Sequence, residues 1–330
     1  MGNRFSLPDF VSNDQGDLFS PAGFFGCVLR GIGQVMLQNN GYAGFLFVAG
    51  VCYNSPLLGT ALLLGAMVST ATAIALGADR TLIQAGLFGF NGGLVGIALL
   101  VFLQTQWMTW GYLILAAIFS SIIMTAMLSL MSAIKLPVLT MPFVMASLCF
   151  ILAAAGLSHL QATSSLPPTG FPQYLIAPGN VTLLTIAKGI FNGIGQVFFQ
   201  ENIVTGILFT LGLAISSRIA CAAALSGSLA GLLVAWSMGA AESAIGSGLY
   251  GFNNVLVAIA LSSFFQKPRS VVLAYIILAM LVTPIALAAM TAALQPLGLP
   301  TLTLPFILIT WLFLLAGEGF SKIHIEKSQN

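Results

Sequence analysis

Three segments of this chain occur twice, in one order and at one spacing. GIGQVMLQNN at 31–40 answers GIGQVFFQEN at 193–202. GFNGGLVGIAL at 89–99 answers GFNNVLVAIAL at 251–261, and LPVLTMPF at 136–143 answers LPTLTLPF at 299–306, each displaced by 162 or 163 residues. Three matches that keep both order and spacing mean duplication, so whatever one half folds into the other must fold into as well. The halves are 23–157 and 184–320. Between them 158–183, SHLQATSSLPPTGFPQYLIAPGNVTL, has the proline and polar content of an aqueous linker. The first 21 residues contain no continuous apolar run and do not read as a cleaved signal peptide; the expectation is a cytoplasmic N-terminal segment over 1–22 and a short cytoplasmic tail over 321–330.

The solvent of this duplicated unit follows from its charge. Charged residues are 5% of the 330 and apolar residues 58%, against roughly a quarter charged in an ordinary soluble domain. So few charges cannot cover a water-facing surface of this size. The apolar stretches at 41–53, 56–77, 92–104, 109–132 and 141–157, and again from 203 onward, sum to about ten crossings of about 20 residues. The expectation is an all-α integral membrane protein in contact with lipid, with about ten transmembrane helices. With a net charge of +2 and no basic run beyond Lys267 and Arg269, nothing points to a nucleic-acid partner. Cys27, Cys52, Cys149 and Cys221 are isolated in apolar stretches and read as buried thiols. His159 and His324 lack the spacing of a helical metal site. No cofactor is implied, and no nucleophile–base pair suggests an enzyme.

Basic residues collect on the cytoplasmic face, and here they alternate between the halves. Arg80 corresponds to Glu242, Lys135 to a site near Gly298, Arg218 to Pro56, and Lys267 and Arg269 to Thr105 and Trp107. Equivalent loops on opposite faces require an odd number of crossings per half, hence an inverted repeat of two five-helix halves. With the N-terminus inside, Arg4, Arg80, Lys135, Arg218, Lys267, Arg269, Lys322 and Lys327 are cytoplasmic and only Lys188 lies outside. Arg30, just within the first span, reaches the inner interface by its long stem. The linker is then outside, where Asn180-Val181-Thr182 forms a glycosylation sequon.

Five crossings per half fit only if some are broken, because 23–53 carries QNNG at 38–41 and 80–104 carries GFNG at 89–92. Opened backbone at membrane depth survives only against protein or a water-filled path, so the repeated motifs sit where a passage would be. In GFN, a half-helix over about 80–88 ending at Gly89 leaves carbonyl oxygens as acceptors. Phe90 and Leu94, like Phe252 and Leu256, share a helical face and form an apolar wall. In LPxLTxPF, Thr140 and Thr303 stand as helix N-caps, with Pro142 and Pro305 in the first turn; their hydroxyls remain able to meet a ligand. Gln34 and Gln196 are amides inside apolar segments, either bracing neighbouring helices or lining the passage. Leu37 and Phe199 follow them by one turn. Glu201, with Asn39 as its counterpart, is an acid at membrane depth and so a functional candidate.

At these three motif pairs the sequence resembles the urea transporter family, over about 24–320; the doubled LPxxTxPF is the most specific mark. The resemblance implies an inverted repeat of five spanning helices plus a tilted re-entrant half-helix per half, a homotrimer with one pore per subunit, and urea conducted down its gradient without ion coupling. It also implies two phenyl-lined slots, at Phe90 and Leu94 and at Phe252 and Leu256, with Thr140 and Thr303 in the middle and Leu37 and Phe199 as further walls. Leu37 departs from the family's usual aromatic, which widens the first slot. The implied location is the plasma membrane, or the inner membrane of a bacterium, with both termini cytoplasmic. The rivals are an ion-coupled secondary transporter with the same repeat and an ammonia or small-amide channel. The first wants paired acids at the midplane, whereas Glu201, Glu242 and Glu318 are single and scattered; the second wants paired histidines.

Overall fold

The computed structural model describes residues 20–170, 179–265, 270–321 and 323. Arg4, Lys267, Arg269, Lys322, His324 and Lys327 lie outside the described residues, as does part of the linker. Fourteen α-helices are described: α1 (Pro21–Gln34), α2 (Gly41–Asn54), α3 (Pro56–Ala75), α4 (Arg80–Gln84), α5 (Gly89–Phe102), α6 (Trp107–Ile134) and α7 (Met141–Ala154), then α8 (Leu183–Gly195), α9 (Ile203–Ser216), α10 (Arg218–Ser237), α11 (Glu242–Gly246), α12 (Phe252–Phe264), α13 (Ser270–Leu294) and α14 (Leu304–Gly319). The second seven repeat the first in order and nearly in length. Among the described residues the only strand-like pairing is an isolated bridge from Leu103 to Ala162 in the linker.

Four helices, α3, α6, α10 and α13, are long and apolar enough to cross a bilayer, and α8 with α9, bent by 75°, makes a fifth span if counted as one. Helices α5, α7, α12 and α14 are apolar but shorter. The breaks have local causes. Leu37 and Phe199 take left-handed backbone, φ 60° and 59°, which ends the first helix of each half, and the side chains of Asn40 and Asn202 then accept from the opening amides of α2 and α9. The expected half-helix over 80–88 is shorter. Gly86 (φ 78°) stops α4, its N–H donating to the Ile83 carbonyl and that of Leu87 to Leu82. That double bond around a left-handed glycine closes a helix, and Gly248 does the same to α11.

Backbones approach closely through matched glycines. A side chain on Gly44 would overlap the Leu29 carbonyl, and one on its counterpart Gly206 would overlap that of Phe191. Between the halves the contacts are reciprocal. Gly50 packs on the Phe209 ring and Gly212 on Phe47, and the two rings lie 5.2 Å apart. When residue i of one unit meets j of the other and their counterparts meet in exchange, the units are related by a two-fold axis.

Not every thiol is buried: Cys149 is exposed, on the outer face of α7, while Cys27 is buried and Cys52 and Cys221 are half-buried. Arg30 is half-buried, with Nε on the Gly26 carbonyl at 3.3 Å. Asn180 is exposed, and Thr182 of its sequon caps α8.

Candidate functional site

The two-fold axis passes between the LPxLTxPF motifs. Thr140 and Thr303 occupy the N-cap positions of α7 and α14, their hydroxyl oxygens are 2.6 Å apart, and each residue is 3% exposed. Contrary to the capping expectation, neither side chain bonds to its own helix. The capping acceptor comes from the GFN motif. Asn91 Oδ1 accepts from the Phe143 N–H at 3.1 Å, and Asn253 Oδ1 from the Phe306 N–H at 3.0 Å. Both asparagines are fully buried; Asn91 Nδ2 approaches Met124 Sδ at 3.6 Å and Asn253 Nδ2 donates to the Leu302 carbonyl at 3.3 Å. GFN and LPxLTxPF are therefore two parts of one construction.

Relieved of capping, the threonines pair with each other. One O–H is consumed in that bond, which leaves one hydroxyl proton and most of the lone pairs of both oxygens for a ligand. The site can donate and accept without carrying charge. Every buried polar side chain among the described residues is likewise a hydroxyl or an amide.

The residues expected to form walls stand on the helices that follow the GFN breaks. Phe90 and Leu94 are buried one turn apart on α5, Leu256 is buried on α12, and Phe252 is half-buried at the start of that helix. Phe199, from the second half, sets its ring edge-on to Phe102 at 5.9 Å and Phe143 at 6.3 Å, both in the first. It thus joins the neighbourhood of the Asn91-capped helix. Leu37 is half-buried against the core. Among the described residues no ring contact involves Phe90 or Phe252.

Gln34 and Gln196 act as braces. Their amides donate to the carbonyls of Ala85 at 3.0 Å and Ser247 at 3.1 Å, where α4 and α11 end. In the first half Ser69 Oγ also takes the Phe88 carbonyl, at 2.8 Å. Of the carbonyls expected as free acceptors before Gly89, these are held by side chains, because a buried open backbone finds its partners within the protein. Glu201 is exposed. It sits one residue before the Asn202 cap, where the chain bends by 75° between α8 and α9. The sequence reading passed over Gln38 and Gln200, both buried, whose amides donate to Met36 at 2.8 Å and Phe198 at 2.6 Å and so hold the left-handed turns at Leu37 and Phe199. It also passed over Asn91 and Asn253. The available signal was an amide recurring inside an apolar helix, which must find a partner.

Residues 25–318 match the family profile described as urea transporter. The chain is 34% identical over 297 residues to "Urea transporter 1" of Rattus norvegicus and of Ovis aries, and 33% to that of Mus musculus, in each case over 88% of this chain and 77% of the relative.

Proposed function

Because the chain belongs to the urea transporter family, we propose that it carries urea across the plasma membrane passively, as a channel whose narrowest part is the Thr140–Thr303 pair. The observation that carries this is a hydroxyl pair buried on the two-fold axis, in a protein interior whose described polar groups are all neutral. Urea is planar and uncharged, with four N–H donors and one carbonyl acceptor. Hydroxyl and carbonyl oxygens replace its water one bond at a time, and the Phe90–Leu94 and Phe252–Leu256 walls accept its flat faces. An ion would find no charge to offset its lost hydration. The same neutrality argues against ion coupling.

The halves form an inverted repeat of five crossings each in this reading. Its support is the alternation of basic residues, the reciprocal contacts, and helices α7 and α14 that meet at their N-caps and otherwise barely touch, as helices leaving an axis in opposite directions do. Gly298 lies beside Thr169 and Pro167 of the linker, which supports setting both on one face; in this reading that face is the outer one and the termini are inside. The assembly is a homotrimer.

Urea efflux from proteoliposomes, followed by stopped flow, should ignore imposed proton and sodium gradients; accumulation above equilibrium would move the protein to the coupled class. Cysteines replacing exposed Ser164 and Leu297 should label from outside and one replacing Ser132 from inside, in a background without the native thiols. Labelling of 132 and 297 from one face would sink the inversion.

A further inference from the structure

Each helix that starts at the axis carries a second hydroxyl on the line of its first. Ser147 stands seven residues beyond Thr140 on α7, and Thr310 seven beyond Thr303 on α14. Seven residues fall about 20° short of two full turns and advance about 10.5 Å, so both lie on the stripe that brings the threonines to the axis. Both are 0% exposed, and neither hydroxyl oxygen has a partner. Five other helical threonines behave otherwise. The hydroxyls of Thr72, Thr125, Thr210, Thr283 and Thr291 each donate to the carbonyl four residues back. That bond is open to any helical serine or threonine, and Ser147 and Thr310 do not take it.

Recurrence separates these two from the other lone buried oxygens. Six side-chain oxygens are buried without a partner among the described residues: those of Asn39, Thr70, Ser147, Asn192, Asn254 and Thr310. Under the repeat Asn39 answers to Glu201, Thr70 to Leu232, Asn192 to Arg30 and Asn254 to Gly92. Only Ser147 and Thr310 are each other's counterparts. A buried hydroxyl left unpaired costs stability, and keeping that cost in both halves, with different residue types, points to a ligand that pairs with the hydroxyl in passing.

We infer that Ser147 and Thr310 are outer urea-binding rungs, one on each side of the Thr140–Thr303 pair, each accepting an N–H from urea or donating its proton to the urea carbonyl. This rests on the channel reading and extends it to a file of four hydroxyls. The test is urea conductance of Ser147→Ala and Thr310→Val against Ser147→Thr and Thr310→Ser, with thermal unfolding and trimer integrity measured on each. Removal of either hydroxyl should lower conductance about three- to tenfold, the loss of one partner hydrogen bond, with the melting temperature unchanged or raised. The exchanges that keep a hydroxyl should retain most of the flux. Unchanged conductance in Ser147→Ala and Thr310→Val, while the wild type conducts, overturns the proposal. So does a loss shared by all four variants and tracking their melting temperatures, which would make the positions packing sites. A wild-type chain that carries no urea defeats the channel reading itself.

Discussion

In the first half Ser69 closes the break before α5: its hydroxyl donates to the Phe88 carbonyl and lies 2.7 Å from that of Ser121, which bonds back to the Ser69 carbonyl at 2.8 Å. The second half has Gly231 there, against the Tyr250 carbonyl and the Asn254 amide. Asn254 is itself the counterpart of Gly92, and its amide donates to the Met280 carbonyl at 2.9 Å. The polar group has moved from one helix to its neighbour, and the glycine has moved the other way. At the axis no such trade has occurred. Thr140 and Thr303, and Gln34 and Gln196, keep both identity and partner, as do Tyr112 and Tyr275 on the carbonyls of Phe150 and Phe313; Asn91 and Asn253 keep the amide they cap, though their Nδ2 groups go to Met124 and to the Leu302 carbonyl. A duplicated scaffold can drift where two touching positions compensate within one half. Contact between the halves does not by itself forbid drift: the Thr140–Thr303 pair is kept, but Asn54 and Thr205, which bond across the halves to Gln200 and to the Gly50 carbonyl, are answered by Ser216 and Ala43.

The largest effect should come from breaking that trade. Gly92→Asn places a side chain against Ser69 and the Gly65 carbonyl and should abolish recovery of folded protein in detergent. Ser69→Gly added to Gly92→Asn copies the second half's arrangement and should restore part of it, with a coupling of about 0.5 to 3 kcal/mol between the two sites. Simple additivity would mean the exchange is not compensation. Next come the axis residues. Thr140→Val and Thr303→Val should each cut urea conductance about five- to a hundredfold, by equal amounts, since one lost partner in a dry passage is worth about 1 to 3 kcal/mol. Val at both positions replaces a bonded pair by an apolar one, so stability should hold while flux falls further. Unequal singles would break the equivalence of the halves, and unchanged flux in both would remove the pair from the passage. Asn91→Ala and Asn253→Ala each delete a helix cap and should lower stability by about 0.5 to 2 kcal/mol, again equally, as read by thermal unfolding.

What the sequence made legible is what repeats. The duplication, the apolar helices and the breaks at QNNG and GFN followed from matched segments and periodicity, and the central place of Thr140 and Thr303 from the family resemblance. The caps at Asn91 and Asn253 did not, because Asn91 bonds an amide 52 residues away, and local spacing rules reach only a turn or two of helix. For the same reason Thr140 looked like a cap: its position is right, but the competing acceptor arrives from another helix. The exposure of Glu201 was not legible, because the burial of a residue beside a break depends on the direction in which the next helix leaves. The length of α4 was readable, since Gly86 is a stop signal of the ordinary kind that the longer apolar run obscured.

The smallest and sharpest contrast is Leu37 against Phe199. Both take the same left-handed backbone, φ 60° and 59°, and each turn is held by the amide of the following glutamine, Gln38 or Gln200. Phenylalanine at 37 would therefore meet no backbone strain that its counterpart does not already bear. Its ring partners are in place too: Phe102 and Phe143, which receive Phe199 edge-on, answer under the repeat to Phe264 and Phe306. Each edge-on pair is worth about 0.5 to 1.5 kcal/mol beyond simple burial, so Leu37→Phe should fold at least as well as the wild type. A ring in place of an isobutyl group narrows one wall without adding a polar atom. Urea conductance should change by less than about twofold, and methylurea conductance should fall about threefold relative to urea, short of the roughly tenfold that a fully enclosing pocket gives for one methylene. Phe199→Leu should shift the ratio the other way and cost its two ring contacts. If neither substitution moves the ratio, these positions pack the halves together and do not line the passage; if only Phe199→Leu does, the two ends of the passage select differently.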